Sequence, residues 1–283
     1  MIAVVGSANA DLVASVVGLP GRGETVMADR SSIGVGGKGL NQALMARRFG
    51  VDVAFFGAVG DDPYADMIIS ALTDESIDIS ALQVVSGPSG LALITVDAVG
   101  ENTIVVVPGA NAEMVEPLVD ERASVVLAQL EIPLEVVKAA LRRGREIGAL
   151  TILNPAPASL SAADLRMLAA DIDILVPNEH ELAALGGSHE VLGAGIDTLV
   201  VTRGAAGVEV HHGGTSWQQE PCSVVAIDTT GAGDAFCGAL AARLALGSPL
   251  DEAVRWGAAA GAAATQITGA TPPQLTSVSQ LLA

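Results

Sequence analysis

Val125-Val126-Leu127-Ala128-Gln129-Leu130-Glu131 begins as an unbroken apolar run and ends in polar side chains. Continuous rather than alternating apolarity marks a strand covered on both faces. A segment long enough for a crossover helix follows, Leu134 to Ile147, and then a second apolar run, Thr151 to Leu153, which stops at Asn154. Strand, helix and strand in that order predict a parallel pair, and so an α/β chain.

The same punctuation recurs outward from this unit. Ile2–Val5, Val53–Phe56, Ile172–Val176, Leu199–Val201 and Val224–Ile227 read as further strands of a mainly parallel sheet, and Ala162 to Ala170 as another crossover helix. The Ala/Gly-rich Gly186 to Gly195 reads as a short connection in place of a helix. One stretch breaks the rhythm. Leu91–Val96 and Thr103–Val107 flank Asp97-Ala98-Val99-Gly100-Glu101-Asn102, the pattern of two antiparallel strands around a turn. With the irregular, glycine-rich Ser15 to Val35, it predicts a small β appendage, from about 12–35 and 89–108, inserted in one domain spanning 1–283. An appendage on a sheet edge is placed to act as a lid.

Composition narrows the function. Half of the 283 residues are hydrophobic, enough for one large core and an appendage. Fourteen Lys+Arg against 32 Asp+Glu give a net charge of −18, which opposes nucleic acid and anionic lipid as partners. An anionic substrate must then be held by local devices such as helix N-termini or backbone amides. Two cysteines, Cys222 and Cys237, suit reduced packing residues. The first apolar run meets Asp11 without a preceding basic stretch, as a strand does rather than a signal peptide. The uncharged tail from Gly257 to Ala283 is interrupted by Gln266, Pro272, Pro273, Gln274 and Gln280, so it does not read as a bilayer span. A cytoplasmic protein is expected.

Open α/β sheets bind ligands beyond the carboxyl ends of their strands. Those ends here carry Asn9 and Asp11, Gln129 and Glu131, Asn154, Asn178 and Glu181, and Thr202. Polar loops and helix caps explain any one of them, but five ends in succession predict a cleft for a hydroxylated ligand. Within Asp228-Thr229-Thr230-Gly231-Ala232-Gly233-Asp234-Ala235-Phe236, the glycines bare backbone amides just where a helix begins, which makes an anion hole. Asp234 in that first turn would repel an anion merely stored there. It is explained if it takes a proton from a hydroxyl that attacks a phosphoryl group held in the hole.

Gly34-Val35-Gly36-Gly37-Lys38-Gly39-Leu40-Asn41-Gln42 contains GxGxxG, but the irregular Ser31-Ser32-Ile33 before it argues against a dinucleotide fingerprint. Gly39 stands where a Walker loop needs Ser or Thr. What remains is a tight turn before a helix, with Lys38 and Asn41 as donors. In Pro177-Asn178-Glu179-His180-Glu181, Asn178 and Glu181 share a helix face and can hold a hydrated magnesium. His211 and His212 point to opposite faces of a strand, which excludes a metal pair.

Gly6-Ser7-Ala8-Asn9-Ala10-Asp11, Gly36 to Ala43, Asn154-Pro155-Ala156-Pro157-Ala158, Pro177 to Glu181 and Asp228 to Asp234 occur in the order that resembles the ribokinase family of carbohydrate kinases. The likeness runs from Met1 to about Pro273. The glycine-lysine-asparagine motif and the Asn-Pro-Ala-Pro-Ala run resemble the family's eponymous branch rather than its fructose or adenosine branches. The resemblance implies a three-layer α/β sandwich with a small β-sheet lid, and ATP-dependent phosphorylation of a sugar's primary hydroxyl, ribose to ribose 5-phosphate first. It implies Asp234 as the base and Gly231, Ala232 and Gly233 as the anion hole. Asn9, Asp11, Gly37, Lys38, Asn41 and Glu131 match the sugar side. Asn178, Thr202, Gly204, Gly207 and Gly233 match the nucleotide side, and Glu181 a magnesium-water site. A monovalent cation such as K+ is implied at Asp228, Thr230, Ala264, Ile267 and Gly269, and a homodimer through the lids. Pro273 stands where relatives offer the cation a hydroxyl, and Ala258 where they place Asn or His against adenine. The short link from Glu181 to Thr198 predicts a nucleotide side without one covering helix. A kinase for another sugar or nucleoside, and a non-catalytic sugar or nucleotide sensor, share the same residues.

Overall fold

The computed structural model describes residues 1–98 and 100–282. Its strands are β1 (Ile2–Val5), β2 (Asn9–Ser15), β3 (Arg30–Gly36), β4 (Val53–Phe56), β5 (Ala58–Val59), β6 (Gln83–Val84), β7 (Gly90–Val96), β8 (Asn102–Val107), β9 (Val125–Ala128), β10 (Leu150–Leu153), β11 (Ile174–Leu175), β12 (Thr198–Thr202), β13 (Val208–His212) and β14 (Thr215–Gln219). The helices are α1 (Lys38–Arg48), α2 (Pro63–Asp74), α3 (Leu134–Glu146), α4 (Ala162–Leu168), α5 (Glu179–Ala184), α6 (Ser188–Gly193), α7 (Ala232–Ala245), α8 (Leu250–Ala264) and α9 (Leu275–Gln280).

The central sheet has the order β14-β13-β12-β11-β10-β9-β1-β4, parallel from β4 to β12 with β13 and β14 added antiparallel. Its parallel strands are mainly apolar because both faces are covered, whereas the antiparallel strands β13 and β14 carry Glu209, His211, His212, Gln218 and Gln219. Ile2 and Val4 enter one core with α1, α7 and α8, while Ala3 and Val5 enter a second core with α3 and α4. Helix α7 lies between α1 and α8, and every residue from Asp234 to Ala242 is buried. That explains its lack of a polar stripe.

A separate sheet, β3-β2-β7-β8, leaves the carboxyl end of β1 through β2 and returns through β3 into α1. Strands β2 and β3 are antiparallel with Asp11 opposite Gly34, β2 and β7 are parallel, and β7 and β8 form the antiparallel pair expected from the sequence. Val99, within the stretch from Asp97 to Asn102 where the sequence predicts a turn, lies outside the described residues, as does Ala283.

Three expectations are corrected. Ser31-Ser32-Ile33 is not irregular but lies within β3. On an edge strand whose first residues are exposed, no burial imposes an apolar pattern. Gly186 to Gly195 is not a helix-free link, since α6 occupies it and buries Val191 in the second core. The segment from Glu181 to Thr198, expected to lack a covering helix, therefore carries α6. Val224–Ile227 is no strand. Val225 and Ile227 are exposed, and the amides of Ile227 and Asp228 bond the Thr265 carbonyl at the end of α8 (2.7 and 3.1 Å) rather than a neighbouring strand.

Candidate active site

The glycine turn before α1 is built by close approach. Gly37 has φ +92°, and a Cβ there would lie 2.9 Å from the Ser7 oxygen, the Ala8 Cα and the Asn9 nitrogen, so only glycine seats the helix start on the β1–β2 link. No acid stands in the first turn of α1. Glu131, beyond β9, supplies one. Its Oε2 accepts from the Lys38 amide (3.1 Å) and from the Ser7 hydroxyl (2.5 Å).

Beside this turn stand Asn9 and Asp11 of β2. Asn9 is buried, and its Oδ1 accepts from Asn111 Nδ2 at 2.8 Å. Asn111 bonds the backbone of Ala8 in both directions, at 3.0 and 3.1 Å. The Asp11 carboxylate leans over Gly36, where a Cβ would meet it at 2.2 Å, and its buried Oδ1 has no partner among the described residues. Burial, then Glu131 and Asp234, push the Asp11 carboxyl up to about 6.

Asp234 faces the same space from α7. Its Oδ2 accepts from Asn41 Nδ2 (3.3 Å) and its Oδ1 from Gln42 Nε2 (2.9 Å). The N-cap of α7 is Gly231 at φ +75°, where a Cβ would approach Ala270 Cα to 2.9 Å. Among the described residues the amides of Gly231, Gly233 and Asp234 have no acceptor, and Gly233 is exposed. The bend is open, and only its Ala232 amide is taken, by the Thr229 carbonyl at 3.3 Å.

Asn178 caps α5 and forms a reciprocal box with Glu181. The Asn178 amide and Nδ2 donate to the carboxylate (2.9 and 3.0 Å), and the Glu181 amide donates to Asn178 Oδ1 (2.8 Å). Thr202 bridges to Asn178 at the end of β12. Gly204 and Gly207 shape the turn into β13, where the Arg203 amide bonds the Gly207 carbonyl at 2.9 Å. Burial pushes the Glu181 carboxyl up, opposed by the Asn178 amide and Lys38. Asp234 first, then Glu131 and Glu181, hold the Lys38 ammonium above its ordinary value against the opposing effect of burial. Asp11, Lys38, Glu131, Glu181 and Asp234 thus form one charged cluster.

At the side of the bend, Asp228 Oδ1 accepts from the Thr230 amide (2.9 Å) and Oδ2 from the Gly269 amide (2.8 Å). Burial opposes that charge, but the Thr230 and Gly269 bonds outweigh it and hold the carboxyl below its ordinary value. Ala264 ends α8 and Ile267 lies in the turn that follows, its amide donating to the Ala264 carbonyl at 3.2 Å.

The structure therefore gathers Asn9, Asp11, Gly37, Lys38, Asn41, Glu131, Asn178, Glu181 and Asp234 around α1 and the strand ends, and Asp228, Thr230 and Gly269 around one carboxylate. No bond joins Gly204 or Gly207 to Asp234 among the described residues. Gln42, Gln129 and Asn154 are buried against Asp234 or one another. Gln42 stood in the quoted glycine motif without a role, and Asn111 carried no signal at all.

Bare amides at a helix start, with an ionisable acid in the same first turn and hydrogen-bonding strand ends opposite, define a site for moving an anionic group onto a hydroxyl. The chain belongs to the pfkB family of carbohydrate kinases, whose family model matches residues 1–277. It is 38% identical to a ribokinase of Haemophilus influenzae over 95% of this chain and 93% of that one. It is 35% identical to a deoxyribokinase of Salmonella typhimurium over 85% and 84%. The structure of Arabidopsis thaliana ribokinase with ribose and ATP superimposes with a TM-score of 0.87 at 31% identity, over 99% of this chain and 98% of that one. The fold is ribokinase-like, with a mainly parallel sheet between two helical layers and a small separate sheet. No helix among the described residues is long and apolar enough to cross a membrane.

Proposed function

We propose that this carbohydrate kinase transfers the γ-phosphoryl group of ATP to the primary hydroxyl of ribose, giving ribose 5-phosphate and ADP. The observation that carries the reading is the bend from Gly231 to Gly233, in which the amides of Gly231, Gly233 and Asp234 are bare, with the Asp234 carboxylate in the same helical turn. The hydroxyl oxygen attacks phosphorus in line, the bond to the β-phosphate oxygen breaks, and the hydroxyl proton passes to Asp234. The bend amides take the charge on the transferring group. Asn9, Asp11, Gly37, Lys38, Asn41 and Glu131 are assigned to the sugar. One carboxylate accepts from two neighbouring hydroxyls, and the partnerless Asp11 Oδ1 is suited to that. Asn178, Thr202, Gly204, Gly207 and Gly233 are assigned to the nucleotide.

Two metal ions fit the residues present. No group of three or more His, Cys, Asp or Glu that could hold a metal occurs among the described residues. Glu181, whose two oxygens already take the Asn178 amide and Nδ2, would reach Mg2+ through a water, the ion being held mainly by phosphates and water. Bound there, magnesium would supply neutralisation of phosphate charge in a site where Lys38 is the sole cation of the cluster. Asp228 with the carbonyls of Thr230, Ala264, Ile267 and Gly269 is an all-oxygen set suited to K+.

We also propose that the β2-β3-β7-β8 sheet is the lid of a single domain, and that two lids pair in a homodimer. Strand β8 is an edge strand exposed along its whole length, including Ile104 to Val107, and such an edge invites pairing. A cytoplasmic setting, where ATP is at hand and thiols stay reduced, suits the free Cys222 and Cys237. The test is a panel of ribose, 2-deoxyribose, fructose and nucleosides with coupled ADP detection, with and without KCl. Fastest turnover on ribose is expected. Preference for 2-deoxyribose or a nucleoside replaces the sugar assignment, and sugar binding without ADP release indicates a sensor. A monomeric mass in solution at micromolar concentration contradicts the dimer.

A further inference from the structure

Asp234 is oriented through side chains from three other parts of the fold. Gln42 Nε2, on α1, donates to Asp234 Oδ1 at 2.9 Å and to Asn154 Oδ1 at 3.2 Å. Gln129 Nε2, beyond β9, donates to Gln42 Oε1 at 2.6 Å, and Asn154 Nδ2, beyond β10, donates to the Val176 carbonyl at 2.9 Å. Gln42 and Gln129 have no exposed surface.

The order of donors and acceptors in this chain is forced. A backbone carbonyl only accepts, so Val176 turns the Asn154 amide nitrogen toward itself and leaves the Asn154 oxygen facing Gln42. An ionised carboxylate also only accepts. Both neighbours therefore demand the Gln42 nitrogen, and both of its hydrogens are used. The Gln42 oxygen is left to Gln129. A backbone atom at the end of one sheet strand thus fixes, through two amides, that Gln42 turns its donor toward the Asp234 carboxylate.

We propose that Gln42 is a positioning residue for Asp234. By occupying Oδ1 it sets the rotation of the carboxylate and leaves Oδ2, which has only the longer bond from Asn41, as the oxygen presented to the acceptor hydroxyl. The inference rests on reading Asp234 as the base. A near-attack geometry depends on that rotation, whereas sugar and nucleotide binding use other residues, so the effect falls on kcat rather than on KM.

The experiment compares Gln42→Met, which keeps the length of the side chain without its donors, with Gln42→Asn, which withdraws the amide by one methylene. Each is made alone and in an Asp234→Asn background, with thermal unfolding as the check on folding. Expected is a 10- to 100-fold loss in kcat for both Gln42 variants, with both KM values within threefold, and no further loss of residual turnover when either is added to Asp234→Asn. A purely structural network lowers the melting temperature without this split and costs the same factor in both backgrounds. The proposal is overturned if folded Gln42→Met or Gln42→Asn keeps kcat within threefold, or if the losses multiply in the double variant. Near-normal turnover of Asp234→Asn alone overturns the base reading instead.

Discussion

The backbone amide of Lys38 donates to Glu131 Oε2 at 3.1 Å, so a carboxylate from the end of β9 closes the start of α1. The same oxygen takes the Ser7 hydroxyl. Glu131 therefore does structural work beneath the sugar side, holding the glycine turn, the β1–β2 link and the β9 end together. Glu131→Ala is expected to lose about 1–3 kcal/mol of folding stability, the range for unpairing donors bonded to a charged group. Urea unfolding checks it, and the sugar KM should rise in the same variant.

Asp11 sets a pH limit on sugar binding. Its carboxyl, raised to about 6, carries a proton below that pH and then loses acceptor capacity for two hydroxyls. The sugar KM is expected to climb as pH falls through 6, and steady-state kinetics from pH 5 to 8 would show it.

Linkage has the opposite sign for the ligand-free protein. A folded-state value above the ordinary 3.8 favours the folded protein below about pH 3.8, and that benefit is lost as pH rises through 6. Asp11→Asn is expected to raise stability at pH 7.5 by up to about 3 kcal/mol, with the gain fading toward pH 4. Melting curves across that range read it.

Gly231 carries both a positive φ and a close approach to Ala270. Gly231→Ala imposes about 1–2 kcal/mol of left-handed strain, before the clash is counted. The expected result is a lower melting temperature and a higher nucleotide KM, since the bend amides move as the strain relaxes. An unchanged nucleotide KM would separate the bend from the nucleotide.

Strands β1, β4, β9, β10 and β12 were legible because burial on both faces writes an unbroken apolar run. Strand β3 was not, because its exposed edge position puts no such demand on Ser31, Ser32 and Ile33. Val224–Ile227 misled for the reverse reason. Its β-branched Val225 and Ile227 lie exposed on the surface, with the segment tied to the end of α8. The bend at Gly231 and its acid were legible because glycine and Asp sit at fixed offsets from a helix start. Asn111 was not, since its bonds to Ala8 and Asn9 cross about a hundred residues of sequence. Gln42 was visible as a letter in a motif, but its task depends on Asn154 and Gln129, which only folding brings to it.

The most direct measurement is turnover and sugar affinity of Asp234→Asn on the same preparation, by coupled ADP detection and titration calorimetry. The account predicts that kcat falls by about 10²–10⁴, the range for removing a general base, while the sugar dissociation constant stays within a few-fold of the parent. Turnover within tenfold of the parent, with binding intact, would contradict it.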